Sequence, residues 1–169
     1  ELPDMERPAV FAFYKVWGTS PDNVYIVGQR GGVLHWDGSE LSEELVGTSR
    51  DLISLWGTGP DDITLVGGRG NGVLVHWNGS DWHAEELAPL GGLNGVWTDS
   101  TDVVWVAGIE GTLGRVDMTN YEVETFETST SLELHGIFGL PGERIWTVGG
   151  SLRRRTSPHE GIALERRLE

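Results

Sequence analysis

Charged side chains stand at matching places in four reversals of this chain: Arg30, Arg69, Glu110, and then Arg153, Arg154 and Arg155 together. A guanidinium fork fits a carboxylate or phosphate through paired hydrogen bonds, so arginines gathered at one mouth would hold an anionic ligand. Three indoles, Trp36, Trp77 and Trp82, flank Asp-Gly or Asn-Gly turns. A ring there either stacks on a sugar or packs across its own turn. Other chemistry is poorly provided for. The five histidines show no ligand spacing and cysteine is absent, so neither a metal site nor a cofactor is expected. Tyr14, Tyr25 and Tyr121 fall inside apolar runs, Glu43-Glu44 and Glu85-Glu86 look like a solvated rim, and no catalytic residue is assigned. The glycines at 28–32 and 67–70 lack the helix that a phosphate loop needs behind it.

The elements that must position these residues come from a repeat. An aromatic residue at Trp17, Trp56, Trp97 and Phe138 is followed 11 residues later by Gly28, Gly67, Gly108 and Gly149, with steps of 39, 41 and 41 residues. That period matches the blade of a β-propeller, a four-stranded antiparallel sheet that buries its faces by stacking around an axis. In the second repeat, strands at 52–57, 63–67, 73–77 and 82–87 are separated by Pro60-Asp61, by a glycine-rich reversal and by Asn78-Gly79, each a recognised turn signal. The sequence therefore predicts a single all-β domain, a propeller of about four blades at 14–46, 52–88, 93–127 and 134–169. The recurring aromatics, with Tyr25, Trp105 and Trp146, are expected to wedge between blades.

The fourth blade runs out near its third strand. Residues 2–7 occupy the offset held elsewhere by an outer strand, and their pairing with the last blade would close the ring and remove an exposed edge. The alternatives are four blades of a larger propeller, or half-rings that dimerise, so both monomer and dimer stay open. Net charge is −14 with a single lysine, which excludes the basic face that nucleic acid requires, and no stretch is long and apolar enough to span a bilayer.

Ser20-Pro21-Asp22-Asn23-Val24, Gly59-Pro60-Asp61-Asp62-Ile63, His35-Trp36-Asp37-Gly38-Ser39 and His76-Trp77-Asn78-Gly79-Ser80-Asp81-Trp82 together resemble the repeats of bacterial Asp-box (BNR-like) propellers. Such repeats occur in sialidase-like glycosidases, lectins, assembly factors and secreted bacterial proteins. The resemblance implies an extracytoplasmic or secreted bacterial module that engages a protein or carbohydrate without catalysis. The ligand would meet Arg30, Arg69, Glu110, Arg153 and Arg154, with glycan stacking on Trp36, Trp77 or Trp82. The alternative is a degenerate or truncated sialidase-like glycoside hydrolase. An ion or water held in a narrow central channel is a further possibility.

Overall fold

The computed structural model describes residues 12–151 and 158–168. Four antiparallel sheets follow one another along the chain. The first is β1 (Phe13–Ser20), β2 (Asn23–Gly28), β3 (Val33–Trp36) and β4 (Leu41–Glu44). The second is β5 (Leu52–Gly59), β6 (Asp62–Gly67), β7 (Val73–Trp77) and β8 (Trp82–Glu86). The third is β9 (Leu93–Trp97), β10 (Val103–Gly108), β11 (Leu113–Asp117) and β12 (Val123–Thr125). The fourth has three strands, β13 (Glu133–Leu140), β14 (Arg144–Gly150) and β15 (Gly161–Arg167), as the short final repeat predicts. Each sheet is a meander of sequential neighbours, the arrangement of a propeller blade. The segment at 2–7, to which ring closure was assigned, lies outside the described residues.

Alternation of side chains decides which face meets which blade. Tyr25, Val27 and Val33 of the first blade pack on Leu55, Leu65 and Val75 of the second, all nearly solvent-free. Val66 and Leu74 on the opposite face of the second blade pack on Val96, Val104 and Val106 of the third. With a blade on either side, all six residues of β6 are buried. The joint between the third and fourth blades is thinner, built on Trp97, Trp105, Leu113 and Ile145. Inner strands pack β1 on β5, β5 on β9 and β9 on β13. No comparable packing returns β13 to β1 among the described residues, so the four blades form an open arc there.

The recurring aromatic and the glycine beside it act as a plug and a socket. A Cβ on Gly57 would lie 2.7 Å from the Trp17 ring, and one on Gly139 2.5 Å from the Trp97 ring. Only a hydrogen in that place lets the indole of one blade sit down on the inner strand of the next. In the third blade the socket position is Thr98, and Trp56 instead donates its indole N–H to the Thr98 carbonyl at 3.0 Å. Trp17, Trp56 and Trp97 thus occupy joints as expected. Phe138 departs from that expectation: it meets Trp56 edge-on and Trp97 at a tilt, yet 52% of its surface is exposed, because no following blade covers its sheet face among the described residues. Trp146 lies on that same face, its N–H bonded to Glu165 at 2.9 Å and Arg144 over its ring.

The later glycine of each repeat has its own cause. At Gly28, Gly67, Gly108 and Gly149 a Cβ would meet the carbonyl of Ala12, Asp51, Gly92 or Glu133 at 2.5, 1.9, 2.3 and 1.9 Å. There the entering chain crosses directly over the end of the second strand.

Two blades also carry a polar brace at matching positions. His76 Nε2 meets Asp62 Oδ1 at 2.8 Å, and Asp62 also accepts from Thr58. In the first blade His35 Nε2 meets Asn23 Oδ1 at 2.7 Å, and Asn23 donates to Thr19. Burial opposes the charge on Asp62, but the bonds from His76 and Thr58 outweigh it and hold the carboxyl below its ordinary value. A depressed acid contributes stability above its unfolded value near ~3.9, and that contribution drains away as pH falls through the folded value. Asp62→Asn, which copies the first blade, should therefore flatten the acid limb of stability below about pH 4 while costing about 1 kcal/mol at pH 7. Chemical denaturation at a series of pH values checks this; an unchanged acid limb refutes the role given to Asp62.

Candidate functional site

The reversals between second and third strands lie along one face, interleaved with the links between blades. Gln29–Gly31 and Ile109–Gly111 are single tight turns in which Arg30 (φ 56°) and Glu110 (φ 55°) take the left-handed conformation, an uncommon one for residues with a Cβ. Each turn is pinned from outside: Gly31 N–H to the Arg50 carbonyl at 2.7 Å, Gly111 N–H to the Leu132 carbonyl at 2.9 Å. The second-blade reversal rests on the link that enters the third blade, where a Cβ on Gly92 would meet the Gly68 carbonyl at 2.3 Å.

One carboxylate that the sequence did not single out bonds the Arg30 backbone and the Arg69 side chain. Asp51 Oδ1 accepts the Arg30 backbone N–H at 3.1 Å, and Asp51 Oδ2 accepts Arg69 Nε at 2.9 Å. Arg69 also donates a terminal N–H to the Tyr14 hydroxyl at 2.7 Å and lies 5.5 Å from the centre of that ring. Burial of Asp51 works against its charge, but the two hydrogen bonds and both guanidinium charges prevail, holding it ionised below the usual carboxylate range. One carboxylate thereby fixes two loops from neighbouring blades. The Arg69 side chain is still 62% exposed, with half of its fork directed by Asp51 and Tyr14. Asp51 had one sequence signal, its place just before the second inner strand, where Glu133 stands in the fourth repeat.

The remaining candidates are placed elsewhere. Glu110 lines a cleft of about 320 Å³ with Thr112, Thr128 and Thr130, which neither arginine lines. Arg153 and Arg154 fall outside the described residues. Trp36 donates its N–H to the Pro21 carbonyl at 3.1 Å. Trp77 and Trp82 pack on each other at 5.3 Å across their turn, and both rest on the joint between the first two blades. The turns themselves follow the expected chemistry: Asp37 Oδ1 accepts the Ser39 and Glu40 N–H groups, and Asn78 Oδ1 those of Ser80 and Asp81. Among the described residues, no group of three or more His, Asp or Glu converges as a metal site would require.

A second recess was not anticipated. Trp105 and Phe126 stack at 5.2 Å, and Arg166 covers Phe126 at 4.0 Å. Beside them a groove of about 810 Å³ is lined by Asp99, Arg115, Glu124, Arg166 and Arg167. It lies between the outer part of the third blade and the last strand described in the fourth, β15.

No family model and no curated protein matches the chain. Solved structures do. The crystal structure of the tricorn protease is 17% identical over 96% of this chain and 17% of that one, with a TM-score of 0.60. The N-terminal domain of Nup159 is 13% identical over 95% of this chain and 45% of that one, with a TM-score of 0.56. An S. cerevisiae assembly of Dbp5 with Nup159, Gle1, IP6 and ADP aligns over the same shares at 13% identity and a TM-score of 0.54. These neighbours are β-propellers, and the chain has the β-propeller fold. It spans less than half the length of each of these three chains.

Proposed function

We propose that the protein is a non-catalytic binding module that presents its loop face to a partner bearing a carboxylate, either an acidic protein segment or an anionic glycan. The observation that carries this reading is Asp51, which ties the Arg30 and Arg69 loops together and leaves the Arg69 fork exposed and oriented. A preset guanidinium loses less freedom on binding than a mobile one, and the surrounding net negative charge would favour a ligand offering a discrete anionic group over a diffuse polyanion. A propeller found in assembly with protein partners, as Nup159 is, fits the reading. The bacterial, extracytoplasmic setting and the Asp-box kinship belong to the same proposal, supported by the side-chain-bridged turns at Asp37 and Asn78.

The test is thermal denaturation with N-acetylneuraminic acid and, separately, with a short peptide that carries a single glutamate. A ligand at 100 times its Kd adds ~2.7 kcal/mol of stability, and Arg69→Ala should abolish that gain. No stabilisation by either probe up to about 10 mM, a concentration that would reveal even millimolar affinity, overturns the proposal. Turnover of a reporter sialoside that Arg69→Ala abolishes would favour the hydrolase instead.

A further inference from the structure

We infer that Tyr14 is a second ligand-binding residue of the arginine face, its hydroxyl donating to the same carboxylate that Arg69 holds. That role rests on the carboxylate reading of this face and supplies it with another donor. Strand pairing explains how Tyr14 comes to be there. β1 steps from the pair Phe13–Gly28 to the pair Lys15–Val27, which leaves Tyr14 as an extra residue, a bulge. The same step occurs at Ile53 in β5, Asn94 in β9 and His135 in β13, each near the start of an inner strand. Bulges re-aim a side chain and are frequent beside functional sites. Strict alternation would put Tyr14 on the face of Val16, whose equivalents Leu55 and Val96 pack on the blade before. The bulge sends Tyr14 forward instead, to Arg69 of the second blade, just as Asn94 of the third reaches the Leu134 carbonyl of the fourth at 3.1 Å.

The bonds at this point leave donors unspent. Arg69 gives Nε–H to Asp51 and a bond of Nη2 to the Tyr14 oxygen, and neither the Arg69 nor the Tyr14 side chain bonds anything else among the described residues. Tyr14 therefore accepts from Arg69 and still has its own proton to give, while the guanidinium keeps the N–H bonds of Nη1. A hydroxyl that accepts from a cation is polarised by it and donates the more strongly. Each oxygen of Asp51 is already engaged, one by the Arg30 N–H and the other by Arg69. With Nε spent on Asp51 and a bond of Nη2 on Tyr14, the fork cannot offer its full set of paired bonds, and the Tyr14 proton supplies another. Donors on two side chains, held 2.7 Å apart at Nη2 and the phenol oxygen, suit a group with an acceptor oxygen for each, as a carboxylate has. Tyr14 is 36% exposed, so a ligand can reach it.

The experiment is an NMR titration of the 169-residue chain with N-acetylneuraminic acid and, separately, with the single-glutamate peptide. Backbone amides report affinity, and tyrosine labelled with carbon-13 at the ring ζ position reports contact. The chain has three tyrosines, Tyr14, Tyr25 and Tyr121, so the signal lost in Tyr14→Phe identifies Tyr14. Ligand should move that signal and leave the other two in place, a response that a purely structural tyrosine would not give. Tyr14→Phe keeps the ring beside Arg69 and removes only the hydroxyl, and it should weaken binding about tenfold, the low end for a hydrogen bond to a charged group. Arg69→Ala should abolish binding. Binding that Arg69→Ala abolishes but Tyr14→Phe leaves within about twofold, or a Tyr14 signal that stays in place at saturation, overturns the role of Tyr14 and leaves the carboxylate reading standing. Failure of both probes to bind the wild-type chain up to about 10 mM overturns the two together.

Discussion

Trp97→Ala should be the most damaging single truncation, lowering stability by about 3–5 kcal/mol. The ring is 3% exposed, covers Gly139 of the next blade, touches Phe138 at 6.2 Å and anchors the thinnest of the three joints, where few other side chains could close over the cavity. At about 2–4 °C per kcal/mol for a chain of this size, the midpoint of thermal unfolding should fall by roughly 6–20 °C. Calorimetry measures this directly. A loss below about 1 kcal/mol would mean that the fourth blade does not depend on this joint. Leu164 and Ile145, on the covered face of that blade, would then have to hold it by other contacts.

Gly67→Ala is the second large effect, and it runs the other way, through excess volume. The new methyl would sit 1.9 Å from the Asp51 carbonyl and 2.8 Å from the Leu52 Cα, both backbone atoms that no rotamer change can move aside. Overpacking penalties reach about 3 kcal/mol, and this site belongs at that limit because the β5–β6 pairing must shift to relieve it. Gly70→Ala is the matched control, since a Cβ there meets nothing within 4 Å and the backbone is not left-handed. It should be neutral or gain about 0.4–1 kcal/mol by restricting the unfolded chain. Urea denaturation of the pair decides the matter: equal stabilities would show that the entering strand does not press on Gly67. Asp51 stands immediately before β5, so the large loss at Gly67 should be accompanied by weaker binding at the arginine face.

The repeat was legible because both of its markers answer to packing. An aromatic must fill each joint, and a residue without a side chain must lie under each entering strand, so Trp17, Trp56, Trp97 and the glycines at 28, 67, 108 and 149 recur in register. Phe138 shows where such reasoning stops. Its type and spacing match the others, but its environment depends on whether another blade follows, and no local pattern encodes that. Asp51 was hidden for a different reason. Its meaning comes from Arg30, 21 residues before it, and Arg69, 18 residues after it, and only the interleaving of loops on one face brings the three together. The indoles near the turns were offered to a sugar or to local packing; Trp77 and Trp82 touch each other, which their five-residue separation allows without requiring. The stack of Trp105, Phe126 and Arg166 spans two repeats, beyond the range of a pattern read one blade at a time.

A joint made from one protruding ring and one bare backbone step has a direction, like couplings on railway carriages. A carriage can be added at either end without rebuilding those between, because each contributes the same hook and the same eye. The curvature set at each coupling, rather than the chemistry of any one carriage, then fixes how many close the loop. Where Thr98 replaces the bare step and Trp56 turns its N–H to that carbonyl, the coupling still holds, so the direction survives a change in its fittings.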